Sequence, residues 1–596
     1  MGCVCGMFGH YTEADIETEI ANFTPRLPVA ELMNGGIIKL QGANGFFNPN
    51  SLLDSTWLKG KMTPEEYYQA IDYINKCTGK SQVGLSKVFS VSERPMRAQL
   101  RSQAGLAAVE EINKQYPTVR FTYQQTAQDM QINTSYSTDP AMRFAQQRGN
   151  TIAHPAVLYV WSGQDVSVSN AADFVAVVDF NESSSTYGQI LKIVSLVSNS
   201  SNGIEQTRNE PHHSAISSDG TYYISGGLLS FLSKQKEIFV WRVPQNVQDG
   251  PQFLYAMDIP GACPDEFLAI GGAKFLLTMM CNESGVSPGN MQRIDAESAN
   301  ATSFLNNAST FVNFNPHGFT RLNDKSLFMA DYIQPVTLFG NDSSRILFRS
   351  TVRYFSADGN LERTFQFNVS TESRETSGVG QGIGFMDVKS IPNDPYGRAY
   401  SCGTNDNILY LIGPSIAEPL PVFDISAVNN YVKRISAGLI SISSDGMRLL
   451  MTFQMRFIIL FNITQPEHPE ILNLFDFCYD QALDSVPILN PDTNETTTFR
   501  QYCANNDNIT GSHVILHPNG ENRFLVVNYF LKLGLAQFAG TRSVHVFKLN
   551  EQLTNFTYEF RFNPNFQFNY TSQQQRSTFH SLKAYPHHVQ YLQLKN

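Results

Sequence analysis

The chain has 596 residues, of which 42% are hydrophobic and 16% are charged, and its formal net charge at pH 7 is −10. This hydrophobic content supports a large core, but the negative charge and the lack of a long basic run argue against nucleic acid as a partner, because phosphate binding needs clustered Lys and Arg. No apolar segment approaches the length that spans a bilayer, so we expect no transmembrane segment.

Residues 1–150 differ in texture from the rest of the chain. The segment Thr63–Cys77 predicts a helix, with Thr63 as the N-cap, Pro64 in the first turn and acidic residues at the positive end of the helix dipole. A second helix is predicted from Arg94 to the proline that stops it, Pro117. We therefore expect a helical N-terminal extension.

Residues 151–596 consist of short β-rich runs broken by Asp-Gly, Asn-Gly and Gly-Gly pairs, which are typical of hairpins. A phrase of strand, two-residue turn and apolar strand recurs at Ser214, Glu266, Gly318, Leu439 and Val514, with weaker copies near His154 and Ile391. Seven such units predict an all-β fold, a seven-bladed β-propeller, whose closure leaves few exposed strand edges. A pair of β-sandwiches would explain the alternation but not the recurring phrase.

Histidines recur at a fixed place in these units. His213 and His513 each precede the first turn residue of their unit by six positions, and His317 precedes its turn by seven; His154 opens the first unit. Since the first strand of a propeller blade lines the central channel, residues just before it should converge. Several neutral imidazoles can share one transition metal without charge repulsion.

The C-terminal segment carries further histidines: His580, His587 and His588. Propellers often close by pairing a terminal strand with the first blade, which would return this segment to the channel. A metal centre and hydrogen-bonded core histidines are both compatible with this pattern.

Several phrases between about residue 172 and the C-terminus resemble one known family: DFVAVVDFNESSSTYGQILKIVSL, EPHHSAIS, FNITQPEHPEIL, GSHVILHPNGENRFLVVNYF and PHHVQYL. In order and spacing they are similar to the selenium-binding proteins, a family that includes methanethiol oxidase. The resemblance implies a seven-bladed propeller with copper held by His212, His213 and His587. It also implies conversion of methanethiol, oxygen and water to formaldehyde, hydrogen sulfide and hydrogen peroxide.

Two departures from the family pattern affect the site. FLAIGG, residues 267–272, stands where the family has a second histidine pair, so either His317 and His513 substitute for it or the site is lost. Gly188 stands where some members have the cysteine proposed to carry selenium, so that route to selenium is excluded. The candidate metal ligands are His212, His213, His317, His513 and His587, with Asp265 and Glu266 as candidate supporting acids from the neighbouring blade.

Two functions of different class remain open. One is a copper-dependent oxidoreductase acting on a small thiol, and the other is a non-catalytic, glycosylated propeller that binds a small ligand or a protein. The iron propellers that cleave carotenoids are a third, weaker match, because their phrases are absent. Discrimination between the first two depends on whether a metal is bound.

The compartment also remains open. The sequence contains 14 Asn-x-Ser/Thr sequons, at Asn22, Asn133, Asn181, Asn199, Asn282, Asn300, Asn307, Asn341, Asn368, Asn462, Asn494, Asn508, Asn555 and Asn569. Their number favours a secreted glycoprotein, whereas the family resemblance and the absence of signal-peptide features in the first residues favour the cytoplasm. The pairs Cys263–Cys281 and Cys478–Cys503 could be disulfides or buried thiols.

Overall fold

A computed structural model describes most of the chain. The described residues are 12–33, 37–43, 46–83, 94–116, 119–125, 130–136, 155–164, 172–196, 209–340, 342–368, 381–425, 437–453, 457–478, 480–483, 487–489, 495–498, 500–501, 512–528, 530–533, 536–539, 543–562, 564, 566–568 and 582–594. The chain divides into two compact units, Met1–Gly149 and Asn150–Asn596. Among the described residues, no helix combines the length and the apolar character needed to cross a membrane.

The first unit contains both predicted helices. Its helices are α1 (Glu13–Phe23), α2 (Pro64–Lys80) and α3 (Arg94–Gln115). At the start of α2 the Glu66 amide donates to Thr63 Oγ1 (3.2 Å), and the Thr63 amide donates to Glu66 Oε2 (2.7 Å). This reciprocal capping box satisfies two amides that the helix itself leaves without partners.

The first unit also contains a sheet that the sequence did not predict. Its strands are β1 (Glu31–Met33), β2 (Ile37–Gln41), β3 (Val119–Gln125) and β4 (Met130–Tyr136), in the order β1–β2–β4–β3. β1 and β2 pair across an Asn-Gly-Gly sequence and β3 pairs directly with β4, but β2 pairs with β4 across almost a hundred residues that include two helices, a pairing that hairpin signals could not reveal. Helices α2 and α3 share one core with the sheet, which includes Ile71 of α2, Ile112 of α3 and Phe121 of β3.

The second unit is a seven-bladed β-propeller, which confirms the predicted fold class. Strands β5 (Ala156–Gln164), β6 (Phe174–Asp179) and β7 (Ile190–Ser195) belong to the blade that closes the ring. Blade 1 consists of β8 (Pro211–Ile216), β9 (Tyr222–Gly227), β10 (Ile238–Arg242) and β11 (Gln252–Met257). Blade 2 consists of β12 (Ala262–Gly271), β13 (Lys274–Cys281), β14 (Asn290–Asp295) and β15 (Asn300–Ser303).

The next three blades repeat this four-stranded meander. Blade 3 consists of β16 (Pro316–Arg321), β17 (Leu327–Asp331), β18 (Thr351–Phe355) and β19 (Leu361–Gln366). Blade 4 consists of β20 (Phe385–Ser390), β21 (Ala399–Gly403), β22 (Ile408–Ile412) and β23 (Leu420–Asp424). Blade 5 consists of β24 (Ala437–Ile442), β25 (Arg448–Phe453), β26 (Phe457–Asn462) and β27 (Glu470–Asp476).

Two small hairpins accompany blade 6, one before its first strand and one between its second and third strands. A hairpin of β28 (Pro487–Leu489) and β29 (Thr496–Thr498) precedes β30 (Ser512–Leu516) and β31 (Arg523–Asn528). A second hairpin of β32 (Phe530–Leu533) and β33 (Ala536–Ala539) precedes β34 (Val544–Leu549) and β35 (Phe556–Tyr558). Blade 6 itself has the order β30–β31–β34–β35.

The end of the chain closes the propeller. Strand β36 (Gln567–Phe568) leads to β37 (Leu582–Gln593), which pairs with β5 from Ala584 opposite Gln164 to Gln593 opposite Ala156. The predicted return of the C-terminal segment is therefore confirmed. The repeat predicted near His154 does not begin at the channel, however, because β37 supplies the innermost strand of that blade and β5 is its second strand. His154 and His580 lie outside the described residues.

The seven innermost strands are β37, β8, β12, β16, β20, β24 and β30, and each contacts the next around the ring. One predicted disulfide, Cys263–Cys281, joins β12 to β13. Cys478 is also disulfide-bonded, but its predicted partner, Cys503, lies outside the described residues. The ring of innermost strands is the element that positions the candidate site.

Candidate metal centre

Each of the seven innermost strands contains, at the same level, one residue more than the second strand of its blade, with which it pairs. In blade 1, for example, Pro211 pairs with Gly227 and Ser214 with Ser225, so three steps on β8 match two steps on β9. The same one-residue shift occurs in β12, β16, β20, β24, β30 and β37. A bulge frees backbone from the ladder and redirects the side chains it carries.

The candidate ligands occupy these bulges. His212, His213, Asp265, Glu266, His317, His513 and His587 lie between the paired residues that flank the shift. In the sequence we expected the histidines just before the first strand of each blade, but they lie inside the strands. The reason is that pairing resumes on both sides of the bulge.

Four of the predicted ligands form one group. Ligand nitrogens of His212, His213, His513 and His587 all lie within 4.8 Å of one another, and all four side chains are buried. They come from three neighbouring strands, β30, β37 and β8, so the point where the chain end closes the ring is also the point where the imidazoles meet. This cluster could hold a metal ion.

His317, the fifth predicted ligand, belongs to a second group on the adjoining strands. His317 Nε2 lies 3.2 Å from Asp265 Oδ2, and His212 Nε2 lies 3.1 Å from the same oxygen. These three residues are also buried and close enough to share an ion. Ligand positions thus continue from β30 through β37, β8 and β12 to β16. At the same level β20 carries Met386, whose thioether is a softer donor, and β24 carries Gly438, which has no side chain to bind a metal.

A hydrogen bond fixes the orientation of one imidazole. His213 Nδ1 donates to Glu266 Oε2 at 2.9 Å, and Glu266 Oε1 accepts from Lys389 Nζ at 3.0 Å. Because the carboxylate accepts the Nδ1 hydrogen, Nε2 carries the lone pair; this buried atom has no hydrogen-bond partner among the described residues. A carboxylate behind a histidine is the usual support of a metal ligand.

Threonines hold neighbouring bulges together. Thr278 Oγ1 accepts from the Glu266 amide (3.0 Å) and donates to the His317 carbonyl (2.7 Å). Thr452 Oγ1 makes the equivalent contacts between blades 5 and 6: it accepts from the Leu439 amide (3.0 Å) and donates to the His513 carbonyl (2.6 Å). Each hydroxyl therefore fixes the position of a histidine that belongs to the next blade.

Burial keeps the cluster neutral. It lowers the pKa of His212 to about 3, and it lowers the pKa values of His213, His513 and His587 well below the ordinary value, with neighbouring imidazoles adding to the effect. Burial also raises the pKa of Asp265 to about 7. At neutral pH the imidazoles are therefore uncharged and present lone pairs, the form that binds metals.

One further histidine lies beside the cluster. The ring of His588 is 4.8 Å from that of His213, and its Nδ1 lies 2.9 Å from Ser214 Oγ. Burial lowers its pKa to about 4. It packs beside the cluster and belongs to neither group of candidate ligands.

Distance from the turns selected His213, His317 and His513, and the family resemblance selected His212 and His587, but a simpler signal was available. Proline precedes the bulge in four of the seven blades, at Pro211, Pro264, Pro316 and Pro586. Proline has no amide hydrogen and is tolerated at bulges and strand starts. The phrases PHH, PDE, PHG and PHH mark the site directly and place Asp265 at a ligand position, whereas the sequence suggested only a supporting role.

The structure is similar to a selenium-binding protein fold. The solved structure of a hypothetical selenium-binding protein from Sulfolobus tokodaii matches with a TM-score of 0.55 and 12% identity, covering 75% of this chain and 95% of that one. A periplasmic gluconolactonase from Pseudomonas aeruginosa gives a TM-score of 0.46 at 11% identity, covering 74% of this chain and 99% of that one. At 12% identity the first of these comparisons shows the propeller fold alone.

No protein-family model matches the sequence, and no curated protein matches it.

Proposed function

We propose that this protein is a copper-dependent oxidoreductase that acts on a small thiol at the four-histidine group. The observation that carries the proposal is the convergence of His212, His213, His513 and His587, whose ligand nitrogens lie within 4.8 Å of one another. Imidazole nitrogen is a preferred donor for copper. The neighbour named a selenium-binding protein and the family phrases in the sequence agree with this direction.

The donor set suits copper in three respects. The four imidazoles are neutral, so they do not repel one another. They are enclosed, with exposed fractions of 1–3%. Glu266 accepts the Nδ1 hydrogen of His213, which leaves Nε2 as the atom that can bind a metal. Copper bound here would supply one-electron oxidation and oxygen chemistry.

The residues around the group also limit the substrate. The enclosure of the imidazoles favours a molecule of a few heavy atoms, such as methanethiol.

Lys389 lies between Glu266 (3.0 Å) and Asp387 (3.1 Å). Burial alone would lower the pKa of its ammonium, but the two carboxylates raise that pKa overall. This positive charge fixes Glu266, which in turn orients His213.

The proposed overall reaction converts methanethiol, dioxygen and water to formaldehyde, hydrogen sulfide and hydrogen peroxide. Atoms balance in this equation: the methyl carbon is oxidised, its bond to sulfur breaks, and dioxygen takes up two electrons and two protons. No side chain is required as an organic nucleophile.

Metal analysis of the purified full-length protein tests the proposal. We expect about one copper per chain, bound by the four-histidine group, and its loss in His213→Gln and His513→Gln. His545→Gln is the matched control, because His545 is a buried histidine on β34 outside both groups. Hydrogen peroxide release on addition of methanethiol then tests the reaction; a protein that binds no copper would contradict the proposal.

A non-catalytic propeller is the second candidate, and the burial of the cluster favours it. Enclosed imidazoles are also found as packed core histidines without a metal, and the disulfide Cys263–Cys281 with the many sequons suits a secreted binding module. This candidate predicts a protein that folds without copper and yields no hydrogen peroxide from methanethiol.

A further inference from the structure

The candidate donor residues form three overlapping groups, of which the four-histidine group and the group with His317 share His212; the third, His213, Asp265 and Glu266, already contains the contact of His213 Nδ1 with Glu266. His212 belongs to the four-histidine group and also to the group that it forms with Asp265 and His317. The second group lies on β8, β12 and β16, on the other side of His212 from β37 and β30. A single ion in the first group would not have Asp265 or His317 among its ligands.

Asp265 carries the observation that a second ion would explain. Its side chain is fully buried, and neither carboxylate oxygen accepts a hydrogen bond from a described residue, although two imidazole nitrogens lie 3.1 and 3.2 Å from Oδ2. Lys389 makes its ion pairs with Glu266 and Asp387. A buried carboxylate without a hydrogen-bond donor is costly unless a metal or another charge compensates it.

The backbone fixes these groups in place. Asp265 and His317 both lie in bulges, and the Thr278 hydroxyl connects the residue after Asp265 to the carbonyl of His317. Such a rigid arrangement holds donor atoms without the reorganisation that a flexible surface cluster would need.

We propose that His212, Asp265 and His317 form a second metal position, for a divalent ion such as zinc or ferrous iron, beside the proposed copper position. Two imidazoles and one carboxylate form a donor set that occurs in zinc sites and in non-haem ferrous iron sites. The carboxylate offsets part of the charge of the ion. The inference rests on the proposed function only in that the neighbouring position holds copper. With both ions bound, the shared His212 would bridge them as an imidazolate, its remaining ring proton being released to solvent.

Sequential loading of the full chain tests the proposal. The protein is stripped with a chelator, loaded with copper, titrated with zinc sulfate alone, and the bound metals are counted by mass spectrometry. Wild type is expected to bind one copper and then one zinc. Asp265→Asn should lose at least ten-fold in zinc affinity and keep its copper, and His513→Gln should lose copper and keep zinc.

Two controls keep the result interpretable. Glu237→Gln removes another buried carboxyl group, directly before β10 of blade 1 and outside all the candidate groups, and should change neither metal count. The copper bound by Asp265→Asn reports that the adjacent strands are folded. The second position is wrong if copper-loaded wild type binds no zinc, or if Asp265→Asn binds zinc as wild type does.

The two proposals fail separately. Zinc binding that Asp265→Asn abolishes in a protein that never binds copper supports the second position and contradicts the copper oxidoreductase. Copper binding that His513→Gln abolishes in a protein that never binds zinc supports the copper position and overturns the second one.

Discussion

Ser214 Oγ and His588 Nδ1 lie 2.9 Å apart, although 374 residues separate them in the sequence. The neighbouring Gln590 donates to the Ser214 carbonyl at 2.8 Å. Both contacts join β8 of blade 1 to β37 of the closing blade. The last strand of the chain is therefore attached on one side to β5, by the ladder, and on the other to β8, by side chains that adjoin the candidate metal centre.

Ser214→Ala tests this attachment. Removal of the hydroxyl leaves a buried ring nitrogen with a poorer partner, so we expect the free energy of unfolding to fall by about 1 kcal/mol. Urea denaturation measures the change. Ser344→Ala, which removes an exposed hydroxyl from a turn, should change stability by less than about 0.5 kcal/mol; equal stability of wild type and Ser214→Ala would contradict the prediction.

Glu266→Ala tests the support of His213. Without the carboxylate the imidazole loses the group that fixes its tautomer and orientation, so copper affinity should fall by about 10- to 100-fold. Competition with a chelator of known affinity measures it. Glu266→Gln keeps a hydrogen-bond acceptor and should recover part of the loss, whereas exposed Glu297→Gln should have no effect. Unchanged affinity in Glu266→Ala would show that Glu266 does not position the ligand.

Acid should destabilise the fold through buried histidines, and His545 isolates one of them. Burial lowers its pKa to about 3, whereas an unfolded histidine titrates near its ordinary value, about 6.5. Between these values the unfolded state binds more protons, so this contribution is complete above pH 6.5 and is lost as the pH falls. At pH 4 the loss would be about 3 kcal/mol.

The corresponding measurement compares the free energy of unfolding of wild type and His545→Gln from pH 7 to pH 4. The variant loses stability at pH 7 because its contacts with Tyr558 and Asn528 change. Its stability should nevertheless depend less steeply on pH, by up to one proton in the linkage slope. Parallel curves would contradict the assigned burial effect.

The disulfide between β12 and β13 should contribute to stability. Cys263 and Cys281 are 18 residues apart, and closing a loop of this size in the unfolded chain is worth about 3 kcal/mol in the loop-entropy account. The double variant Cys263→Ser/Cys281→Ser should be less stable by that order in chemical denaturation. A reductant should then lower the stability of wild type more than that of the variant; equal stability of the two proteins without reductant would be inconsistent with the prediction.

The propeller could be predicted from the sequence because its information is local. Five blades begin with a strand, a turn and an apolar strand, and phrases such as Ser217–Asp219 before Gly220 specify the turn within a few residues. The sheet of the first unit could not be predicted in this way. Its β2 and β4 meet only after helices α2 and α3 have intervened, and no short-range signal encodes that pairing.

The sequence predicted which histidines belong to the site, but not which of them lie close enough to share an ion. Register relative to the turns selected His213, His317 and His513, and the family resemblance selected His212 and His587. The grouping of these residues depends on which blades are neighbours around the ring and on the direction that each bulge gives its side chain. Asp265 was underestimated because it was not aligned with His317 on the proline that precedes each of them.

The repeated bulge separates the choice of ligand from the construction of the scaffold. At Met386 a single substitution could bring another donor toward the axis, because the strand already departs from its ladder there. At Gly438 it could not, since a Cβ would lie 2.5 Å from Thr452 Oγ1. Propellers built on this bulge could therefore exchange one metal for another through substitutions in individual blades, while the architecture around the axis stayed the same.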